Sequence, residues 1–306
     1  MGVSAHKDGS GDRVGLPCGY IRALCGVIVV FVRRQSDLPA FVYDVSMRSI
    51  VVLFLALPLL AQTPGTAITP KKKIALFNGK NLDGWYTWLQ ENKYQDPKHV
   101  FTVEDRAIRV SGEEWGGLTT KNIYRDYHLI VEWKWGGPNH GKREGRARDS
   151  GILVHGVGED GAHDGIWLQS IESQVIEGGT GDFIMVNGRE RPTMTAKVRE
   201  FNGQFYWDEN GTPKTLERGR FDWFGRDPNW KDQLGYRGPK DIEKPVGEWN
   251  RQEVIADRDT LTNIVNGVVV NKGYRVYPTA GKIQLQSEGA EIYYRRVEMI
   301  PVENAK

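Results

Sequence analysis

Beyond residue 74 the chain alternates apolar and polar residues with a period of two. The clearest case is 127–135. There Tyr127, Leu129, Val131, Trp133 and Trp135 fall on one side, and His128, Ile130, Glu132 and Lys134 on the other. Successive residues of a strand point to opposite faces, so this pattern predicts a strand with one buried face. Shorter runs of the same kind occupy 100–103, 107–110, 117–120, 252–256, 262–265, 268–270, 281–286 and 292–299. Turn dipeptides punctuate them: Asn78-Gly79, Asp83-Gly84, Asn187-Gly188 and Asn266-Gly267. No amphipathic helical pattern of useful length occurs after residue 74. Many short strands with closely spaced turns predict an all-β sandwich or barrel.

The stretch 148–183 carries the most chemistry. Two strand-like runs flank a loop rich in Gly, Asp and His. In the second run Leu168, Ser170, Glu172 and Gln174 share one face, while Trp167, Ile171 and Val175 point into the core. Side chains two apart on a strand lie roughly 6.5–7 Å apart, a spacing that suits two groups holding neighbouring atoms of one sugar-sized ligand. A solvated outer face gives the same alternation. Ile166, Leu168 and Ile176 sit on the polar side, so that face is partly covered. His155 closes the first run and comes alongside Glu172 if the two strands pair. Arg146, Arg148 and Asp149 precede a turn read at Ser150-Gly151, and Arg can clamp oxygen-rich ligands through paired donors. His163-Asp164 adds an imidazole and a carboxylate in the loop. Gln284 and Gln286 form an amide pair facing a cleft or the interior, able both to donate and to accept.

The segment 201–246 breaks the pattern. Aromatic residues alternate with Gly, Pro and charge without periodicity. A structureless stretch of this length predicts a functional loop or insertion.

Upstream, Met47-Arg48-Ser49 opens an apolar run that ends at Ala61. A positive start, a short apolar core and a small exit residue describe a signal peptide over 47–61. The run falls short of the ~20 apolar residues a spanning helix needs. Two readings of 1–46 stand side by side: a start assigned too early, or a leader associated with a membrane. Residues 62–73 read as a linker, and 74–302 as one β domain. This organisation implies a periplasmic or extracellular bacterial protein with no stable membrane anchor after cleavage.

Both cysteines, Cys18 and Cys25, precede the domain, so it needs no disulfide and offers no thiol chemistry. Six of the 41 Lys/Arg and four of the 39 Asp/Glu lie in the first 61 residues. The remainder is therefore balanced in charge, without the basic footprint that nucleic acid or an anionic membrane requires. No nucleophile elbow, P-loop or dinucleotide fingerprint is present, and 178–181 reads as a turn. No tight metal spacing such as His-x-x-x-His occurs; a divalent metal is possible, and its ligands are not specified by the sequence.

A series of segments resembles the 3-keto-disaccharide hydrolase domain family. They are Phe77-Asn78-Gly79-Lys80-Asn81-Leu82-Asp83-Gly84-Trp85, the run 127–133, Asp149-Ser150-Gly151-Ile152, Glu172-Ser173-Gln174-Val175-Ile176, the run 245–250, Val265-Asn266-Gly267 and 281–286. They keep the family's order. The resemblance implies a concanavalin/laminin-G-like jelly-roll sandwich and cleavage of an oxidised saccharide or glycoside, the 3-keto form. The chain departs from the family pattern at Glu177-Gly178-Gly179, where the family has an Asp, and in its longer 201–246 region.

A C3 ketone acidifies the C2 proton, so a base removes it and the C1 oxygen leaves; water then adds back. On this expectation Glu172 or His155 is the base. Arg148, His163 or a divalent cation stabilises the enolate. Gln174, Gln286 and the aromatic residues of 201–246 hold the sugar. Two other readings remain open. One is an ordinary glycosidase pairing Glu172 with Glu132 or Asp149, which needs carboxylates roughly 5–9.5 Å apart. The other is a non-catalytic carbohydrate-binding domain.

Overall fold

The computed structural model describes residues 66–302. The expected leader 1–46, the expected signal segment 47–61 and the first part of the linker lie outside the described residues.

The described chain is built from strands: β1 (Ile74–Ala75), β2 (Trp85–Leu89), β3 (Phe101–Glu104), β4 (Ala107–Val110), β5 (Gly116–Thr120), β6 (Tyr127–Asn139), β7 (Asp149–Val157), β8 (Gln169–Ile176), β9 (Phe183–Val186), β10 (Thr193–Phe201), β11 (Gln204–Trp207), β12 (Thr212–Leu216), β13 (Gly219–Phe221), β14 (Asn250–Asp257), β15 (Thr260–Val265), β16 (Val268–Tyr277), β17 (Lys282–Ser287) and β18 (Ala290–Pro301). Among the described residues the one helical element is a single 3-10 turn at Gly141–Arg143, and no helix is long and apolar enough to cross a membrane.

The strands form two antiparallel sheets. The larger runs β11-β10-β16-β15-β14-β6-β18-β4-β3, with β1 added to β18 and β12 to β10. The smaller runs β13-β9-β8-β7-β17-β5-β2. This is the jelly-roll sandwich expected. Its core is where the period-two pattern put it. Tyr127, Leu129, Val131, Trp133 and Trp135 of β6 face Ile152 and Val154 of β7 and Ile171 and Val175 of β8. Burial of such large side chains, at about 25 cal/mol per Å2 of apolar area, is the main force holding the sheets together.

Polar bolts cross this core. Ser173 Oγ donates to Asn263 Oδ1 at 3.0 Å, Gln252 Nε2 donates to Ser173 Oγ at 2.6 Å, and the Trp133 indole donates to Gln252 Oε1 at 3.1 Å. Ser150 Oγ bonds both the Gln286 carbonyl (2.9 Å) and the Tyr294 hydroxyl (2.8 Å). A buried polar chain with its partners in place fixes one register. These bonds pin β7 and β8 from behind and hold their outer face in position.

Three expectations are corrected. Ser150-Gly151 is not a turn but lies inside β7. Trp167 is not in the central core; it packs with Leu153, Ile166 and Val186 in a separate cluster. The 201–246 stretch is not structureless throughout, because β11, β12 and β13 fall within it. Every residue of β12 from Thr212 to Thr215 is exposed, so alternation had no buried face to report.

Candidate functional site

β7 and β8 do pair, with Leu153 opposite Glu172 and Gly151 opposite Gln174. Ile152, Val154, Ile171 and Val175 face the core, so Gly151, Leu153, Glu172 and Gln174 face outward. β9 lies on the other side of β8 with Ile184 opposite Glu172. β13 follows with Arg220 opposite Ile184. On the far side β17 places Gln284 opposite Leu153. A row across the outer face of the smaller sheet therefore reads Arg220, Ile184, Glu172, Leu153, Gln284. Glu172 sits between two aliphatic side chains.

Gly151 makes this floor concave. A Cβ there would lie 2.2 Å from Gln286 Oε1 and 2.5 Å from Glu172 Oε1. The carboxyl and the amide lean into the notch that the missing side chain leaves. Both oxygens are buried and neither has a hydrogen-bond partner. Two unsatisfied acceptors facing one notch are costly. A proton on Glu172 supplies the donor that the notch lacks. The electrostatics agree: burial first, then the negative charge of Asp149, push the Glu172 carboxyl up to about 8, against the pull of Arg220. Asp149 is pushed up to about 7 by burial against Arg143 and Arg220. Glu288 is raised well above the usual range by burial and by Asp149 and Glu172. Three carboxyls thus share one region and influence one another's protons.

The partners around them fix their roles. Gln174 Nε2 donates to Asp149 Oδ1 at 2.7 Å, and Arg143 lies 3.3 Å from Asp149 Oδ2. Arg143 is held in turn by two bonds to Asp232, at 3.2 and 3.0 Å. Both Asp149 oxygens are committed. Arg220 comes from the 201–246 stretch. It touches Asp182 at 3.3 Å and keeps 42% of its side chain exposed, so its charge faces the carboxyl group from an open rim. Asp182 is fully buried, receives Arg226 at 2.7 Å and accepts from the Trp223 amide at 2.9 Å. That anchor docks the 201–246 segment beside the floor.

Glu172, Gln174, Asp149 and Gln286 are therefore brought together. Four other expected residues are not. His155 lies within the bulge between Val154 and Val157 and adopts φ +55°. The extra residue of a bulge breaks the alternation of faces, and His155 turns inward. Its ring packs on Tyr127 with centroids 5.7 Å apart, and Nδ1 bonds the Pro278 carbonyl at 2.8 Å. Burial holds the imidazole down at about 4, so it is neutral and structural. Arg148 is bound to Glu177 at 2.7 Å, whose other oxygen accepts from the Gly235 amide at 3.0 Å. His163 bonds the Asn187 carbonyl at 2.8 Å and stacks on Trp167, tying down its own loop. Glu132 lies on the outer face of the larger sheet, paired with Arg295 at 2.6 Å and Arg296 at 3.4 Å. The whole core separates it from Glu172.

Two substitutions test this sorting. His155→Ala is expected to cost about 2–4 kcal/mol of stability and to leave the pH dependence of turnover unchanged. Glu132→Gln is expected to keep wild-type turnover. Thermal melts and pH–rate profiles check both, and loss of activity in a folded Glu132→Gln protein would contradict the placement.

Sequence reading missed Arg220, Arg143, Glu288 and the role of Gly151. Strand register brings Arg220 and Gly151 to Glu172, while Arg143 comes from the 3-10 turn and Glu288 from the turn between β17 and β18. Among the described residues no group of three or more His, Cys, Asp or Glu side chains is arranged to hold a metal ion. The unpartnered Glu172 and Gln286 oxygens offer two acceptors, too few for a closed cation site.

Comparison with known proteins adds the following. Residues 72–300 match the 3-keto-alpha-glucoside-1,2-lyase-like domain. No curated protein matches the chain. Three solved structures illustrate the likeness in fold. A candidate glycosyl hydrolase from Parabacteroides distasonis ATCC 8503 is 18% identical, with a TM-score of 0.44 over 76% of this chain and 94% of that one. The beta-glucanase of Bacillus licheniformis is 11% identical, with a TM-score of 0.40 over 75% and 98%. The carbohydrate binding module CBM66 of Bacillus subtilis is 13% identical, with a TM-score of 0.37 over 70% and 94%.

Proposed function

The chain belongs to the 3-keto-alpha-glucoside-1,2-lyase-like domain family, and from that premise we propose that it cleaves 3-keto-glycosides by elimination and hydration, with Glu172 as the proton carrier. The observation that carries this is the Glu172 carboxyl itself. It is 4% exposed, flanked by Leu153 and Ile184, and raised to about 8. A desolvated carboxylate is a stronger base than one in water, and a base works best with its pKa near the working pH.

The bonds balance as follows. Ionised Glu172 takes the C2 proton, and the C2–H electron pair delocalises into the C3 carbonyl as an enolate. The Arg220 guanidinium offers positive charge for that oxygen. The enolate collapses, C1=C2 forms and the C1–O bond breaks. The leaving oxygen receives a proton from the shared carboxyl cluster. Water then adds across C1=C2, giving the free 3-keto sugar and the released alcohol. No oxidant or reductant is consumed. Gln174 keeps Asp149 in place, and Gln286 shares the Gly151 notch with the carboxyl.

The pairing of Glu172 with Asp149 as an ordinary glycosidase fits less well, because Gln174 and Arg143 occupy both Asp149 oxygens. The paired reading with Glu132 fails on geometry. The upstream signal segment fits an exported protein, which is part of this proposal.

Incubation of the purified protein with a 3-keto-glucoside and with its unoxidised parent tests the reading. Turnover of the keto form alone is expected. Its kcat/KM should rise with pH and level off above about 8, because the ionised form is the base. Equal turnover of both sugars, or of neither, would remove the proposal.

A further inference from the structure

A second concavity lies away from the Glu172 row. It encloses about 620 Å3 and is lined in part by Glu159, Ala162, Gln169, Gly188, Arg189 and Glu190. None of the residues that face Glu172 lines it. Its volume falls within the about 300–1,000 Å3 that small-ligand sites span.

The polar groups in it are positioned rather than scattered. Gln169 is 2% exposed. Its Oε1 accepts from the Glu190 amide at 2.8 Å, which fixes the direction of the side chain. Gly188 packs flat against it; a Cβ there would lie 2.8 Å from Gln169 Cβ and 3.0 Å from Ala162 Cβ. The Gln169 Nε2 donates to no described residue, and it is not among the fully enclosed unpartnered atoms. A buried amide is therefore held with its free donor toward the cavity. Glu190 Oε2 accepts from the Tyr277 hydroxyl at 3.0 Å, which brings an aromatic ring that is 51% exposed to the rim. Arg189 lines the same space and has no carboxylate within 4.0 Å among the described residues.

The ligand class follows from this set. Two carboxylates oppose a phosphate or a carboxylated ligand. The absence of a third acidic or imidazole partner opposes a metal ion. Free donors (Gln169 Nε2, Arg189) beside acceptors (Glu159 and the second Glu190 oxygen) suit groups that donate and accept at once, which are hydroxyls. An exposed phenol ring at the rim suits the apolar face of a pyranose. We propose that this cavity is a second, non-catalytic saccharide site that takes a neutral sugar of one or two rings. It stands independently of the chemistry assigned to Glu172.

The test is calorimetric titration and saturation-transfer NMR on the full chain. The probes are trehalose, sucrose, maltose and cellobiose, with glucuronate as the charged comparison. A neutral disaccharide is expected to bind the wild type and the Glu172→Gln protein equally. Ala162→Phe, which fills the cavity, and Arg189→Ala, an exposed change that spares the fold, should each weaken binding at least tenfold. Three results would overturn the proposal: no neutral sugar binding at millimolar concentration, binding abolished by Glu172→Gln, or binding unaffected by both cavity variants. A preference for glucuronate would overturn the neutral class.

Discussion

Replacing Glu172 by Gln is expected to cut turnover about a thousandfold and to raise stability at alkaline pH. Loss of a general base costs about 10²–10⁴-fold, so kcat/KM on a 3-keto-glucoside should fall by about a thousandfold. The stability gain comes from the same burial. The Glu172 carboxyl has an ordinary value of 4.5 and stands at about 8 in the folded protein. A folded value above the unfolded one means that the native state binds the proton more tightly. The stability this confers is complete below 4.5 and is lost as pH rises through about 8. Glutamine never ionises, and its amide donor can meet the unpartnered Gln286 oxygen. The two proteins should melt alike near pH 4.5 and diverge steadily as the pH rises to about 8, where the gap is complete, the variant melting higher. For a domain of this size each ~1 kcal/mol moves the midpoint by about 2–4 °C, so a gap of a few degrees is readable by calorimetry. A variant that melts lower at pH 9, or that keeps its activity, contradicts the assignment of Glu172 as a buried base.

Gly151→Ala should separate the site from the fold. Gly151 does not need a left-handed backbone, so the added methyl acts through space alone. It would stand 2.2 Å from one functional oxygen and 2.5 Å from the other. Both atoms end flexible side chains, and both must retreat by about 1 Å. A displacement of that size at reacting groups costs about 10²-fold, while overpacking of this kind costs about 1–3 kcal/mol. The protein should stay folded, lose about a hundredfold in kcat/KM and shift the pH at which its rate levels off. Gly137→Ala is the control, since a Cβ there meets nothing within 4 Å. Equal behaviour of the two variants would mean that the Gly151 notch is incidental.

Much of this was readable from alternation, and the failures share one cause. Period two states which residues of a strand share a face. It correctly grouped Glu172 with Gln174, Gln284 with Gln286, and the aromatic side of 127–135. It does not state which sheet a strand joins. Glu132 and Glu172 carry the same local pattern, yet lie on opposite outer faces of the sandwich. Nor does it survive an inserted residue: the bulge at Val154–Val157 turned His155 from a neighbour of Glu172 into a core side chain. Arg148 looked free because its partner Glu177 is 29 positions away. Arg220 was invisible for the opposite reason. Its strand is three residues long, and only its register with β9 carries it to the floor. The jelly-roll itself was legible because turn dipeptides mark strand ends, and those depend on local backbone geometry alone.

β18 gives the molecule a particular folding problem. It lies between β6 and β4 in the larger sheet and also receives β1, so three strands from the first half of the domain meet on the last one. Until Ala290–Pro301 arrives, β6 has no partner on that edge, and the β3–β4 hairpin and β1 have nothing to join. Contacts between such distant segments are slow to form because the intervening loop must first be closed. The larger sheet therefore cannot be assembled from its N-terminal side alone. It is completed only by the final strand of the fold.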